Sequence, residues 1–288
     1  MPDRIVYLNG HWVPEAEASV SVFDRGFLMA DGVYEVTSVL GGRLVDFPGH
    51  RARLSRSLSE MNMADPFTDD TLLALHREIV AKNAITDGTV YLQVTRGNPG
   101  DRDFAFPAPG TTAQTVVMFT QNKPGLAEAP AARRGLKVIS QPELRWRRRD
   151  IKTVQLLYQS MAKTAALKAG KDDAWLVEDG YVTEGSSANA YIVKAGTIVT
   201  RHPGPEILRG ITRTALLRLV AATGLALDER PFTIEEARAA DEAFITSASS
   251  FVLPVVEIDG TPIGGGVPGP VAAELRRLYL EEARRTAL

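Results

Sequence analysis

The chain reads as an α+β protein of two domains. Short strands and amphipathic helices follow one another without the regular βαβα alternation of a doubly wound sheet. The stretch 122–132, which holds Pro124, Gly125 and Pro130 and has no strand pattern, interrupts them. A length of 288 residues, with 44% hydrophobic and 24% charged side chains, suits two packed domains and excludes a disordered chain. The expected division is a small N-terminal domain over 1–121, a linker over 122–132 and a larger domain over 133–288.

In the first domain, 5–8 reads as a strand before the turn Asn9-Gly10, and 33–40 as one before Gly41-Gly42 and the partner strand 43–47. Leu54, Leu58 and Met61 fall at helical spacing, and Leu72, Leu75, Ile79 and Val80 repeat the period, so helices are expected over 50–61 and 68–83. The β-branched runs 90–95 and 115–120 return to sheet, separated by a Gly/Pro/Asp-rich loop, 97–112, of a length usually reserved for function. In the second domain, strands are expected at 136–140, 174–178, 190–193 and 198–200, with Asp179-Gly180 and Ala195-Gly196 as hairpin turns. Helices are expected at 155–168, 212–223 and 270–285.

Composition narrows the function. Thirty-three basic and 35 acidic residues leave a net charge of −2, so no global field attracts nucleic acid and any anion site is local. With no cysteine, disulfides, Cys-ligated zinc, iron–sulfur clusters and thiol nucleophiles are excluded. Residues 1–10 lack an apolar core, and no run reaches the roughly 18 apolar residues of a membrane helix, so the expected place is the cytoplasm, with no membrane partner. His11, His50, His76 and His202 show no i, i+4 ligand spacing, and no metal is expected. Gly185-Ser186-Ser187 lacks the second glycine of a nucleophile elbow, and Gly264-Gly265-Gly266 lacks the lysine of a phosphate loop.

Three segments carry possible chemistry. Lys152 follows the run Arg147-Arg148-Arg149-Asp150-Ile151, where nearby cations and partial burial would activate an amine as a nucleophile; a solvated basic turn has the same sequence. Glu184 closes a hairpin strand in Val182-Thr183-Glu184-Gly185-Ser186-Ser187-Ala188-Asn189, where small residues let a ligand approach, as they do in an ordinary turn. Leu208-Arg209-Gly210-Ile211-Thr212 enters a helix, so that free N–H groups, a hydroxyl and the helix dipole converge on an anion, or Thr212 simply caps the helix. Hydroxyls at Thr246-Ser247-Ala248-Ser249 add a further polar strand end. An imine-forming lysine, a carboxylate for a ring nitrogen and an anion cradle are together what pyridoxal phosphate requires.

With these segments in order, alongside Asp24-Arg25-Gly26, Asp31-Gly32-Val33-Tyr34-Glu35-Val36, His50-x-x-Arg53-Leu54, Gln93-Val94-Thr95-Arg96-Gly97, Asp150-Ile151-Lys152, Gly210-Ile211-Thr212-Arg213 and Val256-Glu257-Ile258-Asp259-Gly260, nearly the whole chain resembles the fold-type IV pyridoxal-phosphate aminotransferases, and within them the bacterial D-amino-acid transaminases. The resemblance implies a small α/β domain, a larger mixed β-barrel-like domain with helices, and pyridoxal 5′-phosphate as cofactor. It implies Lys152 as covalent anchor and proton carrier, Glu184 at the pyridine nitrogen, and Arg53, Gly210, Ile211 and Thr212 at the phosphate. Leu208 would lie on the ring face, and Ser187, Ser247 and Ala248 beside the cofactor. Tyr34, with Arg102 and Phe104 of the loop 97–107, would bind the substrate carboxylate, the loop reaching the active site of a partner subunit in a homodimer. Phe104 stands where that family has a histidine, in a loop one residue longer, and Ala248 where it has a threonine. Arg96 is either a structural partner or a second anion ligand.

The implied reaction moves the amino group of a D-amino acid such as D-alanine or D-glutamate to a 2-oxo acid by a ping-pong cycle. The alternatives on this fold are a branched-chain L-amino-acid transaminase, an R-selective amine transaminase and an aminodeoxychorismate lyase. A non-enzymatic binding protein would leave the linked Lys152, Glu184, Arg53 and Gly210-Ile211-Thr212 arrangement without a purpose.

Overall fold

The structure, a computed structural model, describes residues 4–288, so positions 1–3 of the expected first domain lie outside the described residues. Two compact units form. The first holds the chain through Leu126, the segment Ile151–Gln155 and the end Thr286–Leu288; the second holds Ala127–Asp150 and Leu156–Arg285.

The first unit is built on strands β1 (Ile5–Leu8), β2 (His11–Pro14), β3 (Gly32–Leu40), β4 (Arg43–Leu44), β5 (Gly88–Thr95) and β6 (Thr115–Asn122), in the order β2-β1-β6-β5-β3-β4 with every neighbouring pair antiparallel. Asn9 and Gly10 close the first hairpin with φ of 48° and 95°, the left-handed pair that a two-residue hairpin turn requires. Three helices follow the strands: α1 (Arg25–Met29), α2 (Phe47–Glu60) and α3 (Asp69–Lys82). α2 begins three residues before the expected start because Pro48 sits in its first turn, where a missing N–H costs nothing. The Thr68 hydroxyl accepts from the Thr71 N–H and caps α3 where the sequence signals a start. Leu54, Leu58, Leu72 and Ile79 are buried, as their helical spacing requires.

β4 pairs only with the Val39–Leu40 end of β3, which leaves the Gly32 end open on that side. Residues 152–154 fill the gap: the Tyr34 N–H donates to Lys152 O (3.0 Å) and the Val154 N–H to Gly32 O (3.1 Å). The C-terminus is tied in the same way, by reciprocal bonds between Leu44 and Leu288 at 2.9 and 3.0 Å.

The second unit runs α4 (Ala131–Arg134), β7 (Leu136–Pro142), α5 (Leu157–Lys168), β8 (Asp173–Glu178), β9 (Tyr181–Gly185), β10 (Asn189–Lys194), β11 (Thr197–Thr200), α6 (Ile211–Thr223), β12 (Ala226–Glu229), α7 (Ile234–Arg238), β13 (Glu242–Ser247), β14 (Phe251–Ile258), β15 (Thr261–Pro262) and α8 (Pro270–Thr286). Its nine-stranded mixed sheet has the order β12-β11-β10-β13-β14-β7-β8-β9, with β15 beside β14. β9 stands five places from β10 in that order, about 24 Å across a flat sheet. The chain from Gly185 to Asn189 spans at most about 14 Å. The sheet therefore curls into a half-barrel, and Trp175, Phe232, Ala237, Ile258 and neighbouring side chains fill it as a core. Asp179-Gly180 and Ala195-Gly196 take the expected left-handed turns, with φ of 52° and 82°, and of 47° and 78°.

This is the α+β fold expected. The stretch read as a linker holds the last residue of β6, a 3-10 turn at Leu126–Glu128 and the start of α4. β14, absent from the strands expected of the sequence, contains Pro254, a residue rarely found in a central strand. The proline falls just before pairing with β7 begins at Val255, where β14 has β13 alone as a neighbour. Among the described residues, no helix is long and apolar enough to cross a membrane.

Candidate active site

In the first unit, the site residues gather on β3, α2 and the segment laid against β3. Tyr34 and Glu35 alternate across β3, so Tyr34 is half-buried while Glu35 points into the interior. Lys152, opposite Tyr34, carries its Nζ to 4.1 Å from the centre of the Tyr34 ring. Its backbone N–H reaches Ser57 Oγ at 3.4 Å, one helical turn beyond Arg53 on α2. Tyr34 stacks on Tyr91 at 5.6 Å, and Tyr91 on Phe119 at 4.7 Å, so the ring is held from behind.

Arg53 donates from Nε and Nη2 to the two oxygens of Glu35, each at 2.7 Å, and His50 Nδ1 lies 2.7 Å from Glu35 Oε2. Burial alone would raise the Glu35 carboxyl, but the Arg53 charge and the bonds from Arg53 and His50 outweigh it and hold the group well below the usual carboxylate range. Arg53 is thus no surface arginine. One edge of its guanidinium is locked by a carboxylate that stands out in the sequence only as part of a motif.

The loop 97–112 has a buried anchor in the same unit. Asp31 accepts from Arg25 Nε (2.7 Å) and from Arg96 Nε and Nη2 (2.8 and 3.1 Å). Arg25 Nη1 goes on to the carbonyls of Asp103 (2.6 Å) and Ala105 (3.2 Å), and the Arg96 guanidinium lies 3.9 Å from the Phe106 ring centre. Arg96, bonded also to the carbonyls of Met61 and Asn62, is structural. Arg102 and Phe104 are exposed, the guanidinium 4.7 Å over the ring.

The second unit holds the buried carboxylate. Glu184, at the end of β9, is 4% exposed, which leaves no room for an ordinary turn residue. Its Oε1 accepts from Asn189 Nδ2 (2.8 Å) and from the Leu208 N–H (2.9 Å), and its Oε2 from Arg145 Nη1 (2.8 Å). Arg145 spends its other donors on Glu143, from Nε at 2.9 and 3.1 Å and from Nη2 at 2.6 Å, and Thr183 Oγ1 donates to Glu143 Oε2 at 2.7 Å. Burial pushes the Glu184 carboxyl above the ordinary range, and the Arg145 charge opposes this without cancelling it. A carboxylate so placed gains by facing a further positive group.

Two residues beyond Leu208, α6 opens. Its N-cap is Gly210, whose extended backbone supplies no capping side chain, so Thr212 stands inside the first turn and does not cap the helix. The first N–H groups, at Ile211 and Thr212, have no partner within the helix and carry its positive end. A Cβ at Gly210 would overlap Asn189 Oδ1, so any side chain here must push the hydrogen-bonded Asn189 amide aside. Ser247 ends β13, its Oγ 2.6 Å from Ser250 Oγ, and Ala248 follows, half-buried. Ser187 is exposed at the β9–β10 turn, whereas Ser186 is buried and donates to Asp173 Oδ1 at 2.5 Å. The basic run before Lys152 is not the open cluster its sequence suggested: Arg148 pairs with Asp150 at 3.0 Å, and buried Arg149 pairs with Glu178 at 2.9 Å.

Sequence reasoning missed Glu35, Asp31, Glu143, Arg145 and Asn189. Glu35 left a signal, the one charged residue of an otherwise uncharged strand; Arg145 and Glu143 lie in a polar stretch that resembles surface.

Residues 32–258 match the Amino-transferase class IV family. The chain is 38% identical over 285 residues to the D-alanine aminotransferase of Bacillus licheniformis, covering 98% of this chain and 99% of that one. It is 34% identical over 281 residues to that of Listeria monocytogenes serotype 4b (strain F2365), covering 96% and 95%. Among solved structures, the T.th. branched-chain amino acid aminotransferase with pyridoxamine 5′-phosphate superposes with a TM-score of 0.88 at 26% identity, over 98% of this chain and 95% of that one. The branched-chain enzyme of Escherichia coli, 21% identical with a TM-score of 0.86 over 98% and 94%, shares the fold. With the match spanning both units and every motif described above from β3 to β14, the chain belongs to the class IV aminotransferases.

Proposed function

We propose that this aminotransferase moves the amino group of a D-amino acid, of the D-alanine or D-glutamate type, to a 2-oxo acid such as pyruvate or 2-oxoglutarate. The observation that carries the reading is the Glu184 carboxylate, buried, held by three donors, and joined through Leu208 to the open start of α6. That is a fitted receptor for a ring bearing a nitrogen at one end and a phosphate at the other, and pyridoxal 5′-phosphate, the cofactor of class IV aminotransferases, is such a ring. When bound, it supplies a carbonyl that condenses with amines and a ring that accepts the electron pair left on a deprotonated Cα.

The chain supplies the rest. Lys152 Nζ is the amine that holds the cofactor and moves the proton that leaves the substrate Cα, and the Tyr34 ring face at 4.1 Å steadies that nitrogen when it is charged. Glu184 keeps a proton on the ring nitrogen, because a buried carboxylate binds a cation more strongly than an exposed one does. Arg53, with its direction fixed by Glu35, pairs with the phosphate, and Gly210, Ile211 and Thr212 offer it N–H groups and a hydroxyl. Leu208 covers the ring, with Ser247, Ala248 and Ser187 at its margin. Tyr34 and Arg102 take the substrate carboxylate. Phe104 leaves that pocket one hydrogen-bond donor short. Asp31, Arg25 and Arg96 fix the loop 97–107, which serves a partner subunit in a homodimer working in the cytoplasm.

The D preference is supported by the 34–38% identity to D-alanine aminotransferases and by the presence of both Tyr34 and Arg102 in the sequence. It is tested by the half-reaction. The protein saturated with pyridoxal phosphate is given D-alanine, L-leucine or R-1-phenylethylamine separately, with no oxo acid, and the visible absorbance is followed. Rapid loss with D-alanine alone is expected. Loss with L-leucine alone moves the assignment to a branched-chain enzyme, and loss with the amine alone to an amine transaminase.

A further inference from the structure

Asn189, the first residue of β10, is 5% exposed and touches each part of the receptor in the second unit. Its Nδ2 donates to Glu184 Oε1 and to Leu208 O, both at 2.8 Å. Its Oδ1 occupies the space that a Cβ at Gly210 would need. Its backbone is fixed in turn, since it pairs with Thr246 across β10 and β13, and the Thr246 hydroxyl lies 3.0 Å from that of Tyr191. One rigid side chain therefore joins the carboxylate at the end of β9 to the turn that opens α6.

We propose that Asn189 is a positioning residue that holds Glu184 and the Leu208–Gly210 turn as one piece, setting the separation between the group facing the cofactor ring nitrogen and the helix start facing its phosphate. The proposal rests on the cofactor reading above and deepens it. An amide suits this role, because two donated bonds need an NH2 group and the oxygen left over packs where glycine leaves room. An aspartate of the same shape would bring a second negative charge against Glu184 at the same 2.8 Å and would have no donor for Leu208 O.

The experiment uses the full-length protein stripped of cofactor and titrated with pyridoxal 5′-phosphate, with fluorescence for the dissociation constant and urea unfolding of the same cofactor-free samples. Asn189→Ala is expected to weaken cofactor binding about 10- to 50-fold. Asn189→Asp is expected to weaken it further, whereas a space-filling role would let the isosteric aspartate restore it. Gly210→Ala should weaken binding and lower the urea midpoint through its overlap with Asn189, and Asn189→Ala should suppress these added defects, so that the double variant matches Asn189→Ala alone.

Wild-type affinity in Asn189→Ala, rescue by aspartate, or additive effects of the two alanines would overturn the role of Asn189 while leaving the cofactor reading intact. Failure of the wild type to bind the cofactor would overturn both. The suppression seen in urea needs no cofactor and so checks the Asn189–Gly210 contact by itself.

Discussion

Replacing Arg25 by glutamine cuts the loop 97–112 from its anchor while leaving the anchor standing. Arg25 gives one donor to Asp31 and shares Nη1 between the Asp103 and Ala105 carbonyls, which flank Phe104. Asp31 keeps Arg96 through Nε and Nη2, so the buried carboxylate stays paired. A bond from a charged donor contributes about 1.5–3 kcal/mol, and the two here share one nitrogen, so the loop loses about 2–3 kcal/mol of local stability. Phe104 is 80% exposed, but a protease must draw out several residues on each side of the Phe104–Ala105 bond, and both carbonyl bonds must break first. When opening is fast relative to cleavage, the rate follows the open population, and 2–3 kcal/mol corresponds to roughly 30- to 160-fold. The assay is limited chymotrypsin digestion, with the Phe104–Ala105 product quantified by mass spectrometry. If Arg25→Gln is folded and is nicked there at the wild-type rate, Arg25 does not hold the loop and the reasoning fails.

Glu184→Gln keeps the size of the side chain and removes its charge, so kcat should fall by about 100-fold or more while cofactor affinity changes by less than about tenfold; a change confined to KM would contradict the role of this carboxylate. Phe104→His restores a donor beside Arg102 and should lower KM for D-alanine about 3- to 10-fold with kcat little changed, and an unchanged KM would place Phe104 outside the carboxylate pocket. His76, buried on α3 with Nδ1 2.9 Å from Leu72 O, is pushed down from 6.5 to about 4, chiefly by burial. The unfolded chain therefore binds the extra proton first as pH falls, and the contribution of His76 is complete above 6.5 and lost towards 4. The loss is about 3 kcal/mol. Urea unfolding of the wild type and His76→Gln across this range should show the gap between them closing, and parallel curves would contradict it.

The local fold was legible wherever a single physical rule operates. Asn9-Gly10 and Asp179-Gly180 turned as their chemistry requires, and Leu54, Leu58, Leu72 and Ile79 went inside on period alone. Lys152, Glu184 and Arg53 stood out because each matched a known pattern, as did Leu208 and Tyr34, whereas the charged partners of Glu184 and Arg53 were given no role. Asp31 meets Arg25 only six residues away, but Glu35 is 18 residues from Arg53, and Asp31 is 65 from Arg96. Arg145 reaches Glu184 over 39 residues. Such pairings are set by strand order and by the curl of the second sheet, and composition carries no trace of them. Thr212 shows the converse: its hydroxyl suited a cap, but the chain enters α6 two residues earlier, at Gly210, where a side chain would overlap Asn189.

The proposal that this chain acts on D-amino acids is tested most directly by the handedness of its product. The protein with pyridoxal phosphate is incubated with D-alanine and 2-oxoglutarate, and separately with L-alanine or L-leucine and 2-oxoglutarate, and the glutamate formed is resolved by chiral chromatography. D-Glutamate from the first mixture, with no turnover in the others, is the predicted result. L-Glutamate from either L-amino acid, with D-alanine inert, would contradict the account and return the chain to the branched-chain reading.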